Sequence, residues 1–361
     1  MLHAHGGDIY GAAVEAGGSP EEILDFSSNV NPRPVPETVR EAIRIAADSL
    51  GRYPDSEARG LRRKAAEAFG VSVDSVLAGH GTTEFIYALP RRLRPHRSVI
   101  LAPCYHDYWR AVEHARCDAE GVLASEANEF VPDLGELETR LSGVNMTFIG
   151  NPNNPTGVAL SADSLRSLAG KFPSNLFVID EALADMAPDS VGASLLAAPL
   201  PDNVVVLRSL SLFDGLPGLR VGFMLGHPDV CETVERAREP WTVGPLDQAA
   251  AIALLESETD ASTIRTELMA ERERVRDELS NASGLRVFRS QTNFLLLKIT
   301  KPSITPSQLC ERMLKQKMLI RNAAGFRGLD GKFVRVTIRG ADDNARLVAG
   351  LRIALDDSSW R

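Results

Sequence analysis

The sequence predicts an α/β protein: a large domain built on a mainly parallel sheet, joined to a smaller α+β domain. Three observations predict it. Short apolar runs rich in β-branched residues recur through the middle of the chain. Stretches with helical periodicity separate them. After about residue 240 the pattern changes to long helices followed by two further strand-like runs. A length of 361 residues accommodates two such domains.

The runs SVILAPC (98–104), NMTFIGNP (145–152), NLFVIDEA (175–182), NVVVLRSL (203–210) and VGFMLG (221–226) read as buried strands. DSLRSLAGKF (163–172) has apolar positions at helical spacing. Strand–helix–strand alternation implies a parallel sheet covered on both faces, and such sheets bind ligands beyond the carboxyl ends of their strands. Past residue 240, LDQAAAIALLESETDASTIRTELMAERERVRDELSNA reads as long helices. NFLLLKI and KFVRVTIR read as strands, with a helical PSQLCERMLKQK between them. The expected division is 46–240 for the large domain, and 1–45 with 241–361 for the small domain and its N-terminal arm.

Bulk properties exclude several functions. A net charge of −8 argues against nucleic acid or an anionic membrane as the main partner. No apolar run approaches the roughly 18–20 residues that span a bilayer, and the N-terminus lacks the blocks of a secretory signal. Cys104, Cys117, Cys231 and Cys310 are scattered, without the paired spacing of a zinc site. The expectation is reduced thiols in a cytoplasmic protein with no metal.

The strand ends carry the candidate chemistry, each beside a plainer alternative. GHGTTE (79–84) offers glycines and a helix start, either a phosphate site or a simple turn. PCYHDYW (103–109) places tyrosines where they could stack on a flat ring or pack on a helix. NPNNPTG (151–157) forces a rigid turn that could aim Asn154 into a site or lie on the surface. Asp180 ends a buried run; it needs a cation, such as a protonated pyridine nitrogen, unless it caps a helix. RSLSLFDGLPGLR supplies Ser209, Ser211 and Arg220, a phosphate clamp or a hairpin-like connection.

Together these motifs resemble the fold-type I pyridoxal-phosphate proteins of the aminotransferase class I/II superfamily. HGGDIY, LDFSSNVNP, RYPD, GHGTTE, NPNNPTG, DEA, RSLS, PGLRVG, PWTV and VRVTIR occur in the order that family has them. The sequence is most similar to the L-threonine-O-3-phosphate decarboxylases, then to the histidinol-phosphate aminotransferases. The resemblance implies a seven-stranded, mainly parallel sheet in the large domain. It implies that Asp180 pairs with the cofactor's pyridine nitrogen, Asn154 bonds the ring hydroxyl and Tyr108 stacks on the ring. Gly81, Thr82, Ser209, Ser211 and Arg220 would hold the cofactor phosphate. Tyr53 would reach the phosphate in the neighbouring subunit, which implies a homodimer. Arg339 would hold the substrate carboxylate with Asn29 close by. His5, Asn31 and Arg321 would lie near a phosphate on the substrate.

One position departs from that pattern. The family's cofactor-bearing lysine stands eight residues before the arginine, and Leu212 occupies that place. Asp214 stands where the decarboxylases tend to have tyrosine, Thr82 where a glutamate is common, and Leu183 where an aromatic follows DEA. The lysine holds the cofactor covalently, exchanges it onto incoming amines and moves protons at the reacting carbons. Leucine does none of these. The expectation is therefore pyridoxal phosphate or pyridoxamine phosphate bound non-covalently, acting on a phosphorylated or otherwise anionic amino acid. Asp214, His80 or His106 would substitute as acid–base groups. Decarboxylation should suffer less than transamination, because carbon dioxide leaves without a base. The alternative is an inactive pseudoenzyme that binds a ligand or pairs with an active homologue.

Overall fold

The structure, a computed structural model, describes residues 5–210, 212–257 and 260–360. Twelve strands form two sheets among these residues. The first holds β2 (Val76–Gly79), β3 (Arg97–Ala102), β4 (Asp118–Leu123), β5 (Met146–Gly150), β6 (Leu176–Asp180), β7 (Val204–Ser209) and β8 (Gly222–Leu225). Its order is β2-β8-β7-β6-β5-β3-β4. Only β8 runs antiparallel to its neighbours. The second holds β1 (Leu24–Phe26), β9 (Leu285–Val287), β10 (Phe294–Ile299), β11 (Met318–Asn322) and β12 (Phe333–Thr337), in the order β1-β11-β12-β10-β9.

The helices in chain order are α1 (Ile9–Ala16), α2 (Glu37–Ala46), α3 (Arg59–Phe69), α4 (Thr82–Leu93), α5 (His106–His114) and α6 (Leu134–Arg140). They continue with α7 (Ala162–Lys171), α8 (Pro228–Glu235), α9 (Pro245–Leu255), α10 (Ala261–Ser280), α11 (Pro306–Leu314) and α12 (Ala341–Leu355). No helix among the described residues is long and apolar enough to cross a membrane. No group of three or more metal-ligating side chains occurs among them.

Alternation along the central strands explains why both sheet faces are covered. Val99, Ile149, Val204 and Val206 point into one core with Leu61 of α3 and Leu165 of α7. Ile100, Phe148, Val205 and Leu207 point into the opposite core, against Phe85 of α4 and Val112 of α5. A third core lies between the five-stranded sheet and α10, α11 and α12. Helix α9 contributes Ala250, Ala251 and Leu254 to the first of these cores, beside Val39 of α2. A boundary at residue 240 would detach α9 from the core it shares with α2 and α3, so packing places the change of core after α9. The reason is local: the face of α9 is small and apolar enough to lie close against both α2 and α3.

Candidate functional site

A cavity of about 570 Å³ opens where β2, β3, β5, β6 and β7 end. Its first wall is the start of α4. Gly81 sits there at φ +73, and a Cβ on it would lie 2.7 Å from Nη2 of Arg220. No side chain caps this helix, and Gly222 lets β8 approach the Thr82 amide more closely than a side chain would permit. Helix N-terminal amides, the Arg220 guanidinium and Ser209 thus converge on one corner of the cavity, which suits a phosphate. Ser211 lies outside the described residues.

The floor is Asp180. Its Oδ2 accepts a 2.8 Å hydrogen bond from the Tyr108 hydroxyl, and its Oδ1 accepts one of 3.0 Å from the Ala182 amide. Burial pushes its carboxyl above the ordinary range, against the pull of those two bonds. No cation is paired with it among the described residues. Tyr108 lines the cavity with its ring stacked on Phe148, the centroids 5.3 Å apart. Asn154 also lines it, and its Oδ1 accepts from Nη1 of Arg335 at 2.5 Å. Leu212 forms part of the wall and packs on an apolar group containing Leu183, Met186, Phe213 and Phe294. All seven lysines are described residues, and none lines the cavity.

The opposite wall comes from the five-stranded sheet and the N-terminal arm. His5, Asn29, Arg321 and Arg339 all reach it. Arg339 is already engaged, its Nε donating to Asp343 at 2.9 Å and Nη1 to the Asp25 carbonyl at 3.3 Å. The sequence reading missed Arg335, which is only 4% exposed. Nη2 of Arg335 donates to the Ser27 carbonyl at 2.6 Å, while its buried Nε has no hydrogen-bond partner. No carboxylate lies within ion-pair distance of it among the described residues, and burial pulls its pKa down to about 9. A buried cation on the wall of a cavity, with only the more distant Asp25 charge acting on it, suits an anion. The signal was in VRVTIR, where Arg335 interrupts an otherwise buried strand.

Four sequence candidates lie elsewhere. Asn31 is buried off the cavity wall; its Nδ2 donates to the Phe213 carbonyl at 3.0 Å and its amide to that of Leu212 at 2.9 Å. It ties down the loop carrying Leu212 instead of facing a ligand. Tyr53 is 83% exposed, with its ring 5.0 Å from that of Trp241, away from this chain's own cavity. His80 borders a neighbouring hollow, whereas His106 is on the cavity wall. Asp214 is half-buried near Asp185, Arg33 and Arg208 and does not line the cavity.

Burial, and after it the Asp185 charge, raise the Asp214 carboxyl from 3.8 to about 7. The folded protein therefore holds this proton more tightly than the unfolded chain. Stability from this group is full below pH 3.8 and lost as pH rises to about 7. Asp214→Asn is expected to shrink the fall in urea midpoint between pH 5 and pH 8; an unchanged fall would reject the assignment.

The model of the family "Aminotransferase class I and II" matches residues 21–351. The chain belongs to the aminotransferase class I and II family. It is 35% identical over 359 residues to the threonine-phosphate decarboxylase of Salmonella typhimurium, covering 98% of this chain and 96% of that protein. Among solved structures it is similar to L-threonine-O-3-phosphate decarboxylase from Porphyromonas gingivalis. There the TM-score is 0.82 and identity 26%, covering 90% of this chain and 97% of that one. Histidinol-phosphate aminotransferase from Sinorhizobium meliloti, solved with pyridoxal-5'-phosphate, shares the fold. Its TM-score is 0.83 at 22% identity, covering 96% and 94% of the two chains.

This aminotransferase class I and II family is pyridoxal-phosphate-dependent. The residues present fit that group at two of its three handles. Asp180 is a buried carboxylate lacking a cation, which a protonated ring nitrogen supplies. The uncapped start of α4, kept open by Gly81 and Gly222, and Arg220 suit the phosphate. At the third handle, the carbonyl, the wall offers Leu212 and no lysine.

Proposed function

We propose that this chain binds pyridoxal phosphate or pyridoxamine phosphate without a covalent bond and acts on a phosphorylated or otherwise anionic amino acid, in the manner of a threonine-phosphate decarboxylase. The observation that carries this reading is one cavity holding Asp180, Arg220 and the start of α4 together, with Leu212 on its wall and no lysine. When bound, the cofactor supplies an electron sink for a bond broken at the substrate's α-carbon.

The chain's own residues would do the rest. Asp180 keeps the ring nitrogen protonated, and Tyr108 orients that carboxylate through its hydroxyl. Asn154 joins the ring side of the cavity to Arg335. Arg335 and Arg321 hold the anionic groups of the substrate. Arg335 takes the place first given to Arg339, because Arg339 is ion-paired with Asp343 whereas Arg335 has no carboxylate within ion-pair distance among the described residues. Leu183, Leu212 and Phe326 exclude water from the reacting face. His106 and His5 line the cavity and are the imidazoles able to move a proton there, which favours them over His80 and Asp214. Loss of carbon dioxide needs no base over the ring, so decarboxylation tolerates Leu212 better than transamination does. Tyr53 would act in the neighbouring subunit of a homodimer, in the cytoplasm.

The packing of Leu212 into an apolar group favours a second reading, a ligand-binding pseudoenzyme or a partner of an active homologue. One experiment separates the two. Purified protein is titrated with each cofactor form while its absorption spectrum is followed, and O-phosphothreonine is then added. A saturable band that dialysis removes and borohydride does not fix, followed by carbon dioxide release, is the expected result. A saturable band with no product supports the pseudoenzyme. Failure to bind either form overturns the proposal.

A further inference from the structure

Behind the phosphate corner lies a largely buried ion network whose members do not line the cavity, although Glu84 borders the neighbouring hollow. Glu84, in the first turn of α4, turns its side chain back toward the preceding loop. Its Oε2 accepts the His80 amide at 2.5 Å and packs so closely on Gly79 that a Cβ there would lie 2.8 Å away. Its Oε1 is buried and accepts no hydrogen bond among the described residues. The counter-charge is Arg238, 5% exposed, with Nη1 at 3.4 Å from that oxygen. Arg238 in turn donates to the Ala78 carbonyl at 2.7 Å, pairs with Glu235 at 3.0 Å and lies over the Phe85 ring at 5.5 Å.

The contacts with Ala78, Gly79 and His80 fall on residues that shape the corner. Ala78 and Gly79 end β2, His80 follows, and Gly81 then presents the start of α4. A carboxylate in the first turn favours the helix by itself. Next to a site for a dianion it also repels the ligand, unless its charge is neutralised where water is scarce. Arg238, shared between Glu84 and Glu235, offsets that charge, while Glu84 holds the His80 amide and leaves the helix amides to the ligand.

We propose that Glu84 and Arg238 are a positioning pair for phosphate: Glu84 fixes the 79–81 loop, and Arg238 cancels the charge that would otherwise repel the bound dianion. The inference rests on the cofactor reading above and concerns the phosphate end alone.

The test compares dissociation constants for pyridoxal phosphate and for pyridoxal, which lacks the phosphate. Arg238→Met leaves Glu84 and Glu235 uncompensated, Glu84 being the one beside the corner, and is expected to weaken pyridoxal phosphate about tenfold or more, with pyridoxal little changed. Adding Glu84→Gln to that variant removes the charge yet keeps an acceptor for His80, and should restore most of the affinity. Glu84→Gln alone removes the repelling charge but keeps the acceptor and should bind pyridoxal phosphate at least as tightly as wild type, whereas Glu84→Ala should lose phosphate selectivity. This last pair decides the matter even if Arg238→Met does not fold. Equal losses for pyridoxal and pyridoxal phosphate, or no rescue by glutamine, overturn the inference while leaving the cofactor reading intact. Wild-type protein that binds neither compound overturns both.

Discussion

Replacing Leu212 with lysine is expected to convert reversible cofactor binding into attachment that borohydride fixes to the chain. The position is half-buried on the cavity wall, beside Leu183, Met186 and Phe213. A lysine stem covers apolar surface much as leucine does, so its ammonium can extend into the cavity with little loss of packing. Asn31 holds both the Leu212 and Phe213 carbonyls, which keeps the backbone of this loop in place whatever side chain it carries. An amine there restores a proton carrier, so turnover of O-phosphothreonine should rise by about 10²–10⁴-fold. Intact mass after borohydride and a carbon dioxide assay read the two effects separately. Attachment without faster turnover would mean that an amine at position 212 is not what limits this protein. Absence of attachment would mean Leu212 does not face the cofactor's carbonyl.

Asp180→Asn should move affinity and stability in opposite directions. In the apo protein, burial raises this carboxyl, so the folded state binds its proton more tightly than the unfolded chain. Stability from the group is present below the ordinary carboxylate range and is lost as pH rises toward its folded pKa. Asparagine has no charge to bury. It can still accept from the Ala182 amide, and the Tyr108 hydroxyl can rotate to accept from its Nδ2. The variant without cofactor should therefore melt at a higher temperature than wild type at pH 7, with the gap closing in acid. Its affinity for pyridoxal phosphate should fall by about 10- to 100-fold, the worth of one charge-assisted bond. A variant that melts lower at pH 7, or binds as tightly as wild type, would remove Asp180 from the role assigned to it.

The parts of the fold legible in the sequence were those whose signal is local. β3, β5, β6, β7 and β8 are buried along nearly their whole length, so each appears as an unbroken apolar run. β4 escaped because it is the edge strand, and DAEGVL is exposed at four of its six positions. β11 escaped for a related reason: MLIRN carries Arg321 and Asn322 into a strand that is only partly covered.

In the site, a motif placed a residue near the cavity but could not fix its direction. Arg335 and Arg339 are four apart in one run, and both reach the cavity; which one is ion-paired depends on Asp343, a turn further on in α12. Asn29 and Asn31 lie two apart in NVNP, yet one lines the cavity and the other bonds Phe213, 182 residues away in sequence. Glu84 was in view within GHGTTE, but its partner Arg238 is far along the chain, and no pattern links them.

The arginines that would grip a substrate ride on one sheet and the groups that would grip the cofactor on the other. Asn29 follows β1, Arg321 lies on β11 and Arg335 on β12, whereas Gly81, Asp180, Ser209 and Arg220 belong to the ends of the seven-stranded sheet. The two sheets have separate cores, so the cavity works as a vise with two stiff jaws, and whatever lies between them is a crossbar. Selectivity then follows the span between charges more than the volume between walls. A compound too short to touch both jaws forfeits one entire set of contacts at once.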